Sequence, residues 1–312
     1  MKLLSTVGIR NEILGLKVAT FIGEENMKSK IICKDVMNVF SELDKKSAQI
    51  IIADPPYNIG KDFGNNSTNM GMKKYLKWCK GWIDESLELL MDNGTMFIYG
   101  FSEILAHILT ILPEKTNCRW VVWHYTNKNV ASLHFWQRSH ESILVIWKKD
   151  RVFNRDDVRE PYTEGFLKNA AGKTRKATKG RFSSGKKETV YNAHQGGALP
   201  RDVIKISALA GGAGAYERVR YCEKCEVTLH GQEWKLCDEK KHSIINHDTQ
   251  KPIALCEKLI KSCLQEDGYL FVPFAGTGSE CVAAKKLGVP YIGIEMNPDY
   301  VKMINSRLER KS

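Results

Sequence analysis

The sequence predicts an α/β fold in which a mostly parallel, twisted sheet carries helices on both faces. Short apolar runs rich in β-branched residues, such as 50–52, alternate along the chain with longer segments of helical spacing. Unbroken apolar runs are typical of strands buried on both faces, as in parallel sheets. Several of these runs also end in an acid, a proline or a glycine, which places polar groups at the carboxyl ends of the strands.

Length and charge narrow the class of protein. The chain has 312 residues, enough for one large α/β domain with an insertion or for two domains. Its net charge of +11 suits a polyanionic partner. Segment 1–4 lacks a signal-peptide core, and no apolar run approaches the roughly 18 residues of a membrane span. These features predict a cytoplasmic protein without a membrane partner.

The predicted elements alternate along the chain. Strands are expected at 30–35, 48–54, 95–99, 119–125, 142–147, 268–272 and 291–294. Helices are expected at 36–43, 74–91, 103–112, 247–264, 280–287 and 299–308. Asn93-Gly94 is expected to stop the second helix, and Gly288 to end the fifth.

The strand at 48–54 stops at Asp54-Pro55-Pro56-Tyr57. Proline donates no N–H, so the two prolines end the ladder and leave an acid and an aromatic ring at a strand's carboxyl end. The Asp54 carboxylate and the Pro55 carbonyl can each accept one N–H of an exocyclic amino group, which favours the pyramidal nitrogen needed for attack. Tyr57 can stack on the nucleic-acid base that carries this amino group. The alternative is a plain strand followed by a proline turn.

Asp54-Pro55-Pro56-Tyr57 resembles the catalytic motif of DNA amino-methyltransferases, which use S-adenosylmethionine (AdoMet). The resemblance implies that these four residues are catalytic and that Asp54 also borders the cofactor. It implies direct methyl transfer to a flipped base, because the amino group is otherwise committed to pairing. Adenine N6 is the expected target, since enzymes that act on cytosine N4 more often carry Ser at the position of Asp54. Cytosine N4 stays as the alternative.

A second motif follows the strand at 268–272. A glycine loop leads into a helix, a further strand and then Glu295, about where a Rossmann-like unit holds the acid that binds ribose hydroxyls. Glycines permit a tight turn and close approach of the backbone to a ligand. The resemblance assigns this loop and acid to AdoMet: Phe274, Ala275, Gly276, Thr277, Gly278, Ser279 and Glu295. The alternatives are an ordinary strand–helix–strand crossover and a nicotinamide dehydrogenase, which leaves the motif at 54–57 unexplained.

Other AdoMet contacts rest on the resemblance alone. In the family, an acid after the first strand faces the adenine amino group of AdoMet, and Asp35 stands at that place. A plain helix cap is the alternative for Asp35. Lys251-Pro252 matches a Lys-Pro that opens the helix lining the methionine end of the cofactor.

Several segments are candidates for contact with DNA. The loop 59–72, rich in Gly and Asn, is expected to form a mobile lid. The resemblance implies that the segment before strand 142–147 holds the extruded base, with Phe135 and Trp136 as stacking candidates or as core residues. Segment 168–187 contains no acid and is expected to contact phosphates or to form a solvated loop. Its candidate residues are Lys173, Arg175, Lys176, Lys179 and Arg181.

One cysteine cluster has the spacing of a metal site. Cys222, Cys225, Cys237 and His242 form C-x2-C-x11-C-x4-H, which approximates a structural zinc site. The competing fourth ligands are two other histidines, His230 and His247. Unmetallated cysteines are the alternative.

The motif order resembles the β class of DNA amino-methyltransferases, in which the catalytic motif precedes the cofactor loop. It implies a discontinuous catalytic and AdoMet-binding domain, 1–150 with 246–312, and an inserted target-recognition region at 151–245. The implied partner is double-stranded DNA, with a cognate restriction endonuclease as a further partner and a monomer or homodimer as the assembly. A non-catalytic DNA-binding protein on this scaffold is the rival from another class. RNA and protein amides are further alternative substrates.

Overall fold

The computed structural model describes residues 29–58, 70–127, 132–181, 184–210, 215–237 and 242–310. The strands are β1 Lys30–Cys33, β2 Ala48–Ala53, β3 Leu90–Gly100, β4 Asn117–His124, β5 His140–Trp147, β6 Thr174–Lys176, β7 Glu188–Val190, β8 Val203–Lys205, β9 Val219–Cys222, β10 Val227–His230, β11 Ile244–Asn246, β12 Tyr269–Val272 and β13 Tyr291–Glu295. The helices are α1 Met72–Leu89, α2 Ser102–Leu109, α3 Glu164–Asn169, α4 Ile253–Cys263, α5 Ser279–Lys286 and α6 Pro298–Glu309. None of these helices is long and apolar enough to cross a membrane.

One eight-stranded sheet organises the fold, in the order β1-β13-β12-β2-β3-β5-β4-β8. Every neighbouring pair is parallel except the two that involve β5, which runs antiparallel to β3 and β4. Strands from both ends of the chain lie side by side, because β12 pairs with β2 in parallel register. The two motifs of the sequence therefore reach the same edge of one sheet, which confirms the predicted α/β fold.

The core has two apolar layers, one on each face of the sheet. Alternation along β2 directs Ile50 and Ile52 into the layer under α4, α5 and α6, and Ile51 into the layer under α1 and α2. All three isoleucines are fully buried, and each contributes about 2–3 kcal/mol of hydrophobic free energy. Burial on both faces explains why this strand reads as an unbroken apolar run.

Three local predictions were wrong. The helix expected at 247–264 begins only at Ile253, after its N-cap Pro252. Residues 36–43 form two short 3₁₀ turns, Val36–Asn38 and Phe40–Glu42, instead of an α-helix. The Asn93-Gly94 pair does not end α1, which stops at Leu89. The pair lies within β3, where the register against β2 shifts between Ala48 and Ile50. A Cβ at Gly94 would lie 2.8 Å from the Gln49 carbonyl oxygen, so close strand packing accounts for this glycine.

The range 151–245 does not sit wholly apart from the catalytic domain. Its strand β8 pairs with β4 at the edge of the main sheet. The small sheet β10-β9-β11 packs on α6 through Val219, Tyr221 and Met303. Segment 168–187 contributes strand β6 to a hairpin with β7, although its sequence shows no strand periodicity.

Candidate functional site

A cavity of about 260 Å³ opens at the carboxyl edge of the sheet. Its wall is built where β1, β13, β12, β2 and β3 end, which is where parallel sheets bind ligands. Predicted site residues that line it are Asp35, Asp54, Pro55, Pro56, Tyr57, Lys251, Phe274, Ala275, Gly276, Thr277 and Glu295. The cavity thus brings together residues from both ends of the chain.

Asp54 lies at the centre of a compact polar cluster. Its Oδ1 accepts the Tyr57 hydroxyl at 2.6 Å, and its Oδ2 accepts the Lys251 ammonium, also at 2.6 Å. Lys251 also donates to the Tyr57 hydroxyl at 3.2 Å. Helix α1 holds the proline turn after Asp54, since the Tyr75 hydroxyl on this helix donates to the Pro56 carbonyl at 2.8 Å. The carboxylate is therefore held in place before any ligand binds.

Glu141 is a second acid of this cluster that sequence reasoning did not assign. Its Oε2 lies 3.6 Å from the Lys251 ammonium and 3.5 Å from the Tyr57 hydroxyl, and its side chain is buried. The residue reaches the site because β5 is antiparallel, so its amino end meets the carboxyl ends of its neighbours. An acid directly before an apolar strand was the only signal, and it does not reveal strand direction.

The charges of the cluster shift the pKa values of its members. Burial disfavours the Lys251 ammonium, but Asp54 and Glu141 outweigh that cost and raise the pKa of Lys251 above its ordinary value. Burial, with Asp54 and Glu141 nearby, also raises the pKa of Tyr57. Lys251 is thus a buried cation and Tyr57 a neutral hydrogen-bond donor around physiological pH.

Glu280, at the start of α5, was also missed. It lines the cavity and is buried. Burial, with a smaller contribution from the Asp54 charge, raises the pKa of Glu280 to about 7. The sequence shows only an acid in a helix's first turn, which is ordinary near the positive helix terminus.

The glycine loop and Glu295, the last residue of β13, lie next to each other. Gly276 has φ 54° and its N–H donates to Glu295 Oε2 at 2.8 Å, while Asn297 N–H donates to Oε1 at 2.9 Å. The Glu295 carboxylate is thereby fixed at the cavity wall. A Cβ at Gly276 would lie 3.2 Å from the ring of His247, so the loop also packs closely against the segment before α4.

Gly278 and Ser279 lie behind this wall and do not line the cavity. Gly278 has φ 75°, and a Cβ there would lie 2.8 Å from Ile304 Cγ2 on α6. Glycine is required at this position because the backbone is left-handed and because α6 packs closely against it. Arg307 of α6 donates to the Thr277 carbonyl at 2.9 Å and to the Ser279 hydroxyl at 3.2 Å. The geometry thus gives Gly278 a structural role, and its predicted contact with the cofactor stays a prediction.

The remaining cavity wall mixes an acid with aromatic rings. Asp35 lines the cavity and its Oδ1 also accepts the Met37 N–H at 2.9 Å, so it is a cap as well as a wall residue. Phe274 packs on Trp78 at 5.6 Å between ring centroids. Tyr300 and His247, which the sequence did not indicate as cavity residues, also line it, with ring centroids 4.7 Å apart. Acids that accept hydroxyl or amino groups, beside flat apolar rings, suit a nucleoside with a cationic tail.

Other predicted residues lie away from the cavity. Pro252 caps α4 and does not line the cavity. Phe135 and Trp136 are 80% and 86% exposed, so core packing is wrong for both. The basic candidates of segment 168–187 are all exposed: Lys173, Arg175, Lys176, Lys179 and Arg181. Residues 59–69 of the predicted lid are outside the described chain, whose flanks Asn58 and Met70 are joined by hydrogen bonds of 2.7 and 2.8 Å.

The predicted metal ligands do come together. The ligand atoms of Cys222, Cys225, Cys237 and His242 all lie within 4.8 Å of one another. Neither rival histidine belongs to this group: His230 stands at the far end of β10, and His247 lines the cavity.

Comparison with known proteins gives the family. A family model described as DNA methylase matches residues 48–306. The chain belongs to the DNA methylase family. Its methyl donor is accordingly S-adenosylmethionine.

Two curated relatives align along most of the methylase chain. Type II methyltransferase M2.LlaDCHI of Lactococcus lactis subsp. cremoris is 39% identical over 92% of this chain and 91% of its own. DNA adenine methyltransferase YhdJ of Escherichia coli (strain K12) is 27% identical over 91% of this chain and 84% of its own.

A solved structure shares the fold. The cytosine-N4-specific PvuII DNA methyltransferase superposes with a TM-score of 0.62 at 13% identity, and the match covers 91% of this chain and 88% of that one.

Proposed function

We propose that the protein is a site-specific methyltransferase that transfers the methyl group of AdoMet to N6 of adenine in double-stranded DNA. The observation that carries the proposal is the Asp54 cluster at the cavity edge, where an acid, a rigid proline turn and an aromatic ring meet the cofactor loop. The alignment with an adenine methyltransferase supports the choice of base. A cognate restriction endonuclease and a cytoplasmic location belong to the same proposal.

AdoMet, when bound, supplies an electrophilic methyl group on a cationic sulfur. Asp35, Glu295 and the backbone of 274–277 would hold it, since these residues line the cavity beside Asp54. The lining acids compensate the positive charge of the sulfonium, and the ring of Phe274 offers a flat apolar surface for adenine. The residues present therefore fit this cofactor.

Asp54 accepts the target amino group without losing its present partners. A carboxylate offers about four acceptor positions, and Tyr57 and Lys251 occupy one on each oxygen. The free positions accept an amino N–H, together with the Pro55 carbonyl. Methyl transfer from bound AdoMet would leave S-adenosylhomocysteine and place a positive charge on the amino nitrogen. Asp54 would stabilise that charge until the nitrogen loses its proton to solvent. Lys251 and Tyr57 hold the carboxylate in place, which lowers the reorganisation required.

Phe135 and Trp136 are exposed aromatic residues at the same end of the sheet as Glu141, because they precede β5. We assign them to contact with the flipped base or its neighbours, where base–aromatic stacking contributes about 1–3 kcal/mol. The exposed basic residues at 173–181 contact phosphates in this proposal.

The test is to incubate the protein with labelled AdoMet and duplex DNA, digest the DNA to nucleosides and identify the methylated base by mass spectrometry. The expected product is N6-methyladenine. The second candidate, cytosine N4, rests on the shared fold of a cytosine-N4-specific enzyme, and N4-methylcytosine would establish it. AdoMet binding without any methylated base would refute both and leave a DNA-binding protein.

A further inference from the structure

We propose that Cys222, Cys225, Cys237 and His242 bind one structural Zn²⁺ ion that holds together the small sheet β10-β9-β11, which packs on helix α6. No step of the proposed methyl transfer uses these residues, so this site is independent of the proposed function. The arguments are the geometry of the four ligand atoms, the turn that carries them and the contacts of the small sheet.

The distances match a tetrahedral ion. The His242 Nδ1 atom lies 3.4, 3.5 and 3.0 Å from the sulfurs of Cys222, Cys225 and Cys237. The sulfur of Cys237 lies 3.1 Å from that of Cys222 and 3.7 Å from that of Cys225. Zn–S bonds of about 2.3 Å and Zn–N bonds of about 2.0 Å at tetrahedral angles separate ligand atoms by roughly 3.5–3.8 Å. Small adjustments of the shorter pairs bring all four to that spacing.

The turn between β9 and β10 is built for a metal-bound sulfur. It carries the Cys222-x-x-Cys225 pair, and the Cys225 N–H donates to the Cys222 sulfur at 3.4 Å. Glu226 follows with φ 52°, a left-handed conformation that turns the chain directly into β10. A backbone N–H aimed at a thiolate fixes the ligand before the metal binds. Sulfur separations of 3.1 and 3.7 Å exclude disulfide bonds in this arrangement, because a bonded pair lies about 2.05 Å apart.

The small sheet has little apolar core of its own. Its buried contacts are made with α6, where the Thr228 N–H donates to the Ser306 hydroxyl at 2.8 Å and its own hydroxyl donates to the Met303 carbonyl at 2.9 Å. Arg310 at the end of α6 pairs with Glu233 at 2.5 Å. Short strands without a large core usually need a metal or disulfide to hold together.

Helix α6 links the metal site to the cofactor cavity. The same helix carries Arg307, which binds the cofactor loop at Thr277, and Tyr300, which lines the cavity. The small sheet also reaches the start of α4, since the Val219 N–H donates to the Gln250 side chain at 3.0 Å. Zinc therefore stabilises the wall on which AdoMet is held, although it lies outside the cavity.

The first test measures metal directly. The full chain, purified under reducing conditions, is expected to contain one zinc per molecule by elemental mass spectrometry. Cys225→Ser and His242→Ala are expected to lose most of it. Cys118→Ser and His107→Ala are matched controls, because these residues are exposed and lie outside the cluster. Full zinc in either cluster variant, or none in the wild type, would overturn the proposal.

The second test uses spectroscopy and does not depend on methyl transfer. Protein refolded with Co²⁺ is expected to show the intense visible bands of tetrahedral cobalt with thiolate ligands, and both cluster variants are expected to lose them. Removing zinc with a chelator is expected to weaken AdoMet affinity, and adding zinc is expected to restore it. Octahedral cobalt spectra would refute the site. A Cys222–Cys237 disulfide in non-reduced peptide maps of fresh protein would do the same.

Discussion

The replacement Asp54→Asn tests the centre of the proposed mechanism. It keeps the shape of the side chain but removes the charge and one acceptor oxygen. The remaining oxygen is expected to face Lys251, which can only donate, while the new amide donates to the Tyr57 hydroxyl. Both partners at 2.6 Å are thus retained, and the loss falls on the positions that accept the target amino group.

The magnitude follows from that loss. One pre-organised acceptor is expected to cost about 10²–10³ in the rate of methyl transfer, or about 2.7–4 kcal/mol. AdoMet affinity is expected to change less than about threefold, because the nitrogen contact forms only with the target base. Stability is also expected to fall, since Lys251 is buried and its next acid, Glu141, lies 3.6 Å away. Breaking a buried ion pair completely costs about 3–5 kcal/mol, so Asn is preferred to Ala.

The assay is single-turnover transfer of labelled methyl groups to duplex DNA, measured well below the unfolding temperature. AdoMet affinity, measured by calorimetry on the same sample, shows that the cavity is intact. Asp92→Asn is the control, an exposed acid at the amino end of β3 that pairs with Lys46, at the opposite edge of the sheet from Asp54. Near-normal turnover of the Asp54→Asn variant would refute the role given to Asp54. Equal losses of turnover and AdoMet binding would indicate a structural role instead.

Three further outcomes are expected. Glu280→Gln should raise the free energy of unfolding above pH 7. The pKa of Glu280 is about 7 in the folded protein and about 4.5 in the unfolded chain, so the wild type loses about 3 kcal/mol of unfolding free energy as the pH rises through this window. Thermal unfolding at pH 4.5 and pH 8 should therefore show a more stable variant only at the higher pH. Gly278→Val should lower the unfolding temperature, because φ is 75° at this position and an added side chain would collide with Ile304. A variant that keeps its unfolding temperature and loses only AdoMet binding would contradict this. Replacing Lys176, Lys179 and Arg181 with Ala should flatten the slope of log affinity against log salt by about 0.9 per lost phosphate contact, without changing the methylated site. Lys45→Ala, at the amino end of β2, should leave that slope unchanged, and relaxed site choice in the triple variant would show that the segment reads bases.

Local chemistry made much of the site predictable. Two prolines after an apolar run fix where β2 ends, and so place Asp54 at the sheet edge whatever the rest of the chain does. The glycine loop and Glu295 follow the same logic, because a strand, a tight turn and a helix are encoded by neighbouring residues. Cysteine spacing is likewise a property of a short segment, and the three cysteines and His242 lie together as that spacing indicated.

Tertiary structure decided what depends on distant partners. Glu141 joins the site only because β5 runs antiparallel, and no residue near it encodes strand direction. Glycine at 278 reads as a cofactor contact in sequence, yet its neighbour is Ile304 on a later helix. The buried pair of Lys251 and Asp54 joins residues 197 apart, and the pKa of Glu280 depends on burial under elements remote in sequence. Side-chain chemistry and turns are local properties, whereas strand direction, burial and charge pairing exist only once the sheet has assembled.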